Sequence, residues 1–271
     1  MTTVNEVYRY LNEKTPFTYQ ESWDNSGLNI GDPEGTVERV LVVLDITDEV
    51  IEEAIAHQVQ LIVSHHPVIF HPVKQVTLKA DDLTGRKIWR LAQAGISAIC
   101  CHTNLDAVEE GVNTALARAI GLSDVCQLAQ CGIDEEGRPY GFGRVGNLSR
   151  EMPLEAFLSV VERALPPNSL RYVDGGKPVF KVAVGGGACG SFMPDALKAG
   201  CDTFITSDLK YNQFLDAREL GINLIDAGHF PTENVVLPTL VEWLVKGFPD
   251  LQIIPSLVHK EVFRCYTSRN S

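Results

Sequence analysis

The chain has 271 residues, 45% of them hydrophobic, enough for one large or two modest domains with a real core. Its 23 basic and 35 acidic residues give a net charge of −12, which argues against nonspecific nucleic-acid binding and against anionic membrane surfaces, since both depend on clustered Lys and Arg. No segment approaches the roughly 18 apolar residues of a membrane span. The opening "MTTVNEVYRYLNEK" has helical spacing, not a signal peptide's charged start and apolar core. Seven cysteines with no C-x-x-C and no framework spacing point to reduced thiols in a cytoplasmic protein.

In chain order, "RVLVVLDIT" (39–47) reads as a buried strand feeding the helix "DEVIEEAIAHQ". Four later stretches follow one plan: "AHQVQLIVSHH" (56–66), "AQAGISAICCHTN" (92–104), "LKAGCDTFITSD" (197–208) and "RELGINLIDAGH" (218–229). Each starts as the end of an amphipathic helix. In three of them Gly95, Gly200 or Gly221 follows, where a helix C-terminus wants a left-handed residue. About five apolar, partly β-branched residues come next, as in a buried strand. Between these stretches, residues 126–148 read as two strands joined by the polar turn "DEEGRP", 153–165 as a helix and 178–187 as a strand. The alternation predicts an α/β protein with largely parallel sheet. The change in pattern predicts two domains: a main one from residues 1–125 plus 221–271, and a second, 126–220, inserted into it.

Ligands of such sheets lie beyond the carboxyl ends of the strands, and there the chain places His65 and His66, His102 to Asp106, Ser207 and Asp208, and Asp226 to Glu233. Helix N-caps after strands would account for Ser207 and Asp208 but not for histidines, which are poor caps. His65, His66, Asp106, His229 and Glu233 together form a transition-metal ligand set suited to Fe, Zn, Mn, Co or Ni. His229 and Glu233 are four apart, so the first turn of a helix beginning near residue 231 or 232 would aim both at one point. Adjacent side chains of an extended segment diverge, so His65 and His66 are expected to reach two different ions, bridged by Asp106 or Glu233. Two such ions would hold a bridging water of lowered pKa, ready to attack a carbonyl, imine or phosphoryl centre. His71 is expected to support the ligands or the fold, His57 to sit at a helix end, and His259 receives no role. "GGGACG" (185–190) also fits G-x-G-x-x-G after a strand, yet a tight turn into a helix is the favoured reading over a dinucleotide site.

"WDNSGLNIGD", "SHHPVIFHP", "CHTNLDA", "GFGRVGNL", "SDLKYN" and "DAGHFPTE" together resemble the Nif-three-like dinuclear metal-centre family, whose members are often labelled GTP cyclohydrolase 1 type 2 homologues. The resemblance runs from Trp23 to Glu233 and is to the short form. It implies an α/β subunit of two domains in a toroidal homohexamer, two divalent metal ions per subunit, and the same five ligands. It places His102 near the metals, with proton transfer as its expected role. It sets Trp23 and Asn25 either at the mouth of the site, against a small-molecule substrate, or in a structural turn. Two positions depart from the family pattern: Ser207 stands for a glycine and Asn212 for a histidine. Two functions compete. One is a metal-dependent hydrolase of a nucleotide-like, phosphoester or cyclic amide substrate. The other is a non-catalytic metal carrier or hexameric scaffold. Ligands without cysteine favour the hydrolase.

Overall fold

The computed structural model describes residues 1–166 and 169–265. Its strands are β1 Gly27–Ile30, β2 Arg39–Val43, β3 Leu61–Ser64, β4 Ser97–Cys100, β5 Ser123–Ile133, β6 Pro139–Met152, β7 Arg171–Val173, β8 Val179–Val184, β9 Thr203–Thr206, β10 Asn223–Asp226 and β11 Gln252–Pro255. They form two sheets, and the chain is α/β throughout. Contacts divide it into two units, residues 1–111 with 236–259 and residues 112–235 with the described residues from Lys260 on.

The first unit carries the sheet β1-β4-β3-β2-β11. β4, β3, β2 and β11 are parallel, and β1 closes the edge antiparallel to β4. Every residue of β3 and β4 is buried, which explains why these strands read as unbroken apolar runs and not as alternations. Between the strands, helix Asp48–Ala56 starts at Thr47, whose hydroxyl accepts from Val50 N, and has Asp48 and Glu49 in its first turn. Helix Leu83–Ala94 starts at Asp82, which accepts from Gly85 N, and ends at Gly95 with φ +66°, as the sequence predicts. Leu41, Val43, Ile62 and Leu91 are fully buried in one cluster. Truncating such a residue to Ala costs about 2–5 kcal/mol, so the strand ends that carry the histidines rest on a rigid floor.

The second unit carries the sheet β5-β6-β8-β9-β10-β7. β5 and β6 are the expected hairpin across "DEEGRP", β8, β9 and β10 are parallel, and β7 runs antiparallel to β10. Successive strand residues alternate between two cores. Val182, Val184, Ile205 and Ile225 face a cluster around Phe157 and Leu116, while Ala183, Phe204 and Leu224 face one around Met193 and Ala217.

The expected domain boundaries move. The division falls after residues 111 and 235, not near 125 and 220. β10 pairs in parallel with β9, Asn223 opposite Thr203 through Asp226 opposite Thr206, so residues 221–235, with His229 and Glu233, belong to the second unit. Helix Val112–Ala119 goes the same way, its Leu116 and Ala117 lying in the core around Phe157. The helix–glycine–strand plan is shared by β4 of the first sheet and by β9 and β10 of the second, and periodicity does not say which sheet a strand joins. Among the described residues no helix is long and apolar enough to cross a membrane.

Candidate metal centre

In the first unit β3 ends at Ser64 and the chain bends at once. The Ser64 hydroxyl donates to the carbonyl of His66 at 2.7 Å, while His65 N and His66 N donate back to Val43 O and Leu44 O. This bend corrects the expected divergence of the pair: the two rings lie 4.8 Å apart, centre to centre. β4 delivers His102 next to them. Its ring is 5.3 Å from each of the other two, and one ring nitrogen from each of the three histidines lies within 4.8 Å of the others. Asp106 sits one helical turn after His102 in helix Thr103–Ala107, and its Oδ1 is 3.7 Å from His65 Nε2.

The orientation of the rings tests whether these residues suit a metal. His65 Nδ1 lies 2.7 Å from the carbonyl oxygen of Cys101. A carbonyl only accepts, so the ring donates Nδ1–H and keeps its lone pair on Nε2. His66 Nδ1 and His102 Nδ1 donate in the same way to Asp45 Oδ1 and Asp24 Oδ1, each at 2.7 Å. Metal-ligating histidines are typically oriented by such a bond from the far nitrogen to a carbonyl or carboxylate, and the donor set fits. Burial alone would raise the pKa of both aspartates. For Asp24 the hydrogen bonds from His102 and Thr103 outweigh it, and for Asp45 those from His259 and His66, holding both carboxyls well below the ordinary range. Both are therefore acceptors at neutral pH.

The second unit holds His229 and Glu233. Helix His229–Asn234 follows Gly228, whose φ of +80° turns the chain out of β10. The helix begins at His229 itself, two or three residues earlier than expected, and the i,i+4 pair meets with His229 Nε2 3.0 Å from Glu233 Oε2. His229 Nδ1 donates to Asp208 Oδ2 at 2.7 Å, repeating the bond made by the first unit's histidines. Asp208 is thus no helix cap. It has φ +54°, rare outside glycine, at the turn that carries it to His229. Ser207 is buried and Asn212 exposed, so of the two departures only the serine lies in the interior. The glycine-rich turn serves the same pair. Gly187 has φ +64°, and a Cβ there would lie 2.0 Å from Glu233 Oε1, while its N–H donates to the Thr232 hydroxyl at 3.1 Å. The helix after this turn is only six residues long, Met193–Lys198, and the close approach the turn permits is to a carboxylate of the same chain.

The other expected site residues are placed as follows. Trp23 is 56% exposed, with its ring 5.8 Å from Phe70 and edge-on to His102 at 6.0 Å, an aromatic rim beside the three histidines. The Asn25 side chain donates to Ile69 O at 2.6 Å and ties its loop to the segment after the histidine pair, which suits the structural turn. Sequence reasoning passed over Asp24 and Asp45, read Asp208 as a helix cap and gave His259 no role. A signal existed for Asp45, a carboxylate just past β2 at the carboxyl edge of the parallel sheet. Asp24 stood unremarked between Trp23 and Asn25.

The comparisons with known proteins agree with this fold. A "GTP cyclohydrolase 1 type 2 homolog" of Clostridium perfringens is 34% identical over 96% of this chain and 98% of its own length. Among solved structures, a Staphylococcus aureus hypothetical protein superposes with a TM-score of 0.89 at 30% identity over 97% of this chain and 99% of that one. A Bacillus cereus protein related to NIF3 shares the fold, with a TM-score of 0.91 at 24% identity over 98% and 99%. The profile of one family matches residues 2–261, and the chain belongs to that family, Duf34/NIF3 (NGG1p interacting factor 3).

Proposed function

We propose that the protein binds two divalent metal ions through His65, His66, Asp106, His229 and Glu233 and uses them as a hydrolase. The observation that carries the reading is the repeated orientation of the imidazoles. His65, His66, His102 and His229 each commit Nδ1 to an oxygen acceptor 2.7 Å away, which orients the Nε2 side of each ring as metal-ligating histidines are oriented, and the Nε2 atoms of His65 and His229 lie 3.7 and 3.0 Å from the carboxylates of Asp106 and Glu233, the other proposed ligands. Bound divalent ions would supply a Lewis acid and a water ionisable near neutral pH. The chain's own residues do the rest. Asp24, Asp45 and Asp208 fix the ring planes, and the rim of Trp23 and Phe70 flanks His102, whose Nε2 accepts or returns a proton while Asp24 holds Nδ1. The substrate class is a nucleotide-like, phosphoester or cyclic amide compound. The name of the Clostridium perfringens relative, "GTP cyclohydrolase 1 type 2 homolog", favours a nucleotide ring. The assembly proposed with it is a homohexamer, which sedimentation should show as six chains of 29.8 kDa.

The test is elemental analysis of untagged protein purified without chelator, beside His65→Ala and Glu233→Ala. The expected result is about two metals per chain, falling in both variants, and then turnover of GTP or a phosphodiester by the loaded protein. No metal above background after incubation with Fe, Mn or Zn would sink the reading. The competing carrier reading draws on the 37% exposure of the His229 side chain, which opens that ligand to exchange. Transfer of metal to an apo-protein within seconds, with no turnover of any substrate, would favour it.

A further inference from the structure

The last residues of the first unit reach the histidine pair through a shared carboxylate. After β11, Ser256 N donates to Val42 O at 2.9 Å. Glu53, buried in helix Asp48–Ala56, accepts from Leu257 N at 2.9 Å and from the Ser256 hydroxyl. These bonds set the course of the chain, and His259 then places Nε2 2.9 Å from Asp45 Oδ2 with its side chain only 7% exposed. The other oxygen of that carboxylate accepts from His66 Nδ1 at 2.7 Å. A carboxylate rotates in a broad, roughly twofold torsional well, so one hydrogen bond leaves its plane loose. A second, on the opposite oxygen, fixes it.

We propose that His259 is a positioning residue for the metal-binding histidines: by holding Asp45 Oδ2 it sets the plane of the Asp45 carboxylate and, through it, the ring of His66. The strap from Ser256 to His259 is then part of the site, although none of its residues is among the proposed ligands. This rests on the metal-binding reading above. It adds a link that the quoted motifs do not contain, since they end at Glu233 and His259 lies beyond them.

The test titrates the full-length, chelator-stripped protein with Co²⁺ and follows binding by visible absorption. His259→Phe keeps an aromatic ring but loses the donor. His259→Gln keeps an N–H close to the position of Nε2. Circular dichroism and the melting temperature confirm that each variant folds, and His259→Leu replaces the Phe variant if the phenyl ring disrupts packing. The expected result is affinity weakened about three- to tenfold in His259→Phe, at or below the range for partners that orient ligands directly, with an altered Co²⁺ spectrum. His259→Gln should lie within about twofold of the parent, with the parent's spectrum. Equal behaviour of the two variants, whether both impaired or both unaffected, overturns the proposal. His66→Ala separates the two levels. If it weakens Co²⁺ binding while His259→Phe does not, the positioning role alone falls. If His66→Ala binds as the parent does, the metal reading falls and takes the positioning role with it.

Discussion

The two units present histidines in contrasting ways. In the first, His65, His66 and His102 stand at the ends of buried parallel strands, and two of their three anchors lie deep: a backbone carbonyl for His65, and for His102 the Asp24 carboxylate, whose side chain has no exposed surface, while the Asp45 carboxylate that holds His66 is 40% exposed but tied on its other oxygen by His259. In the second, His229 sits at the first position of a short helix, 37% exposed, and its anchor Asp208 is 56% exposed, while Glu233 beneath it is buried. The same Nδ1–H to oxygen bond therefore works in two dielectric settings. A charge-assisted hydrogen bond between buried groups has no water to replace it when a partner is removed, whereas water substitutes readily for an exposed carboxylate. The first unit should behave as a preorganised cluster and the second as one rigid carboxylate with an adjustable imidazole.

The most damaging way to break that comparison is at Gly187. Its Cβ position falls 2.0 Å from Glu233 Oε1, on a backbone with φ +64°. Gly187→Ala must displace the one fixed ligand of the second unit and also bear about 1–2 kcal/mol of left-handed strain. Metal content should fall about as far as in Glu233→Ala, with a lowered melting temperature. Retention of the parent's metal content would show that Glu233 is no more fixed than His229. Next in size is the pair Asp24→Asn and Asp208→Asn. Asp24 also accepts from Ser26 Oγ and Thr103 N, so its loss should reduce Co²⁺ affinity about tenfold or more and destabilise the chain by about 1–3 kcal/mol in urea. Asp208→Asn should change affinity by less than about threefold, as an exposed partner does. Equal effects from the two would remove the distinction between the units.

What the sequence made legible follows from the same contrast. Strand ends were readable because buried parallel strands are apolar runs with polar punctuation, and the five proposed ligands stood out as histidines and carboxylates at that punctuation. Their anchors did not stand out, because Asp24, Asp45 and Asp208 occupy positions where aspartate is ordinary in a turn or cap, and only coordinates distinguish an N-cap from a carboxylate holding an imidazole. The bend at Ser64 escaped for a related reason. It depends on a side chain–backbone bond two residues on, which competes locally with the extended strand, and alternation along an ideal strand is blind to it. The assignment of β10 to the second sheet depends on pairing with β9, a tertiary choice that local pattern does not encode.

The smallest expected effect separates the units through their thiols. Cys100 and Cys101 close β4 beneath the histidines. Burial raises the Cys100 thiol to about 12, and burial raises Cys101 well above the usual value. On β5 of the second unit, Cys126 and Cys131 are exposed. The thiolate is the reactive species, so iodoacetamide at pH 8 should label Cys126 and Cys131 in the native protein and leave Cys100 and Cys101 unmodified until denaturant is added, as read by peptide mass spectrometry. Fold and activity should hardly change, because these exposed thiols lie on a strand that holds no proposed ligand. Early labelling of Cys100 or Cys101 would mean that the β4 end opens on the timescale of the reaction. A strand end that opens so readily could not be the rigid floor on which His102 and the bond from His65 Nδ1 to Cys101 O depend, and the preorganisation assigned to the first unit would be lost.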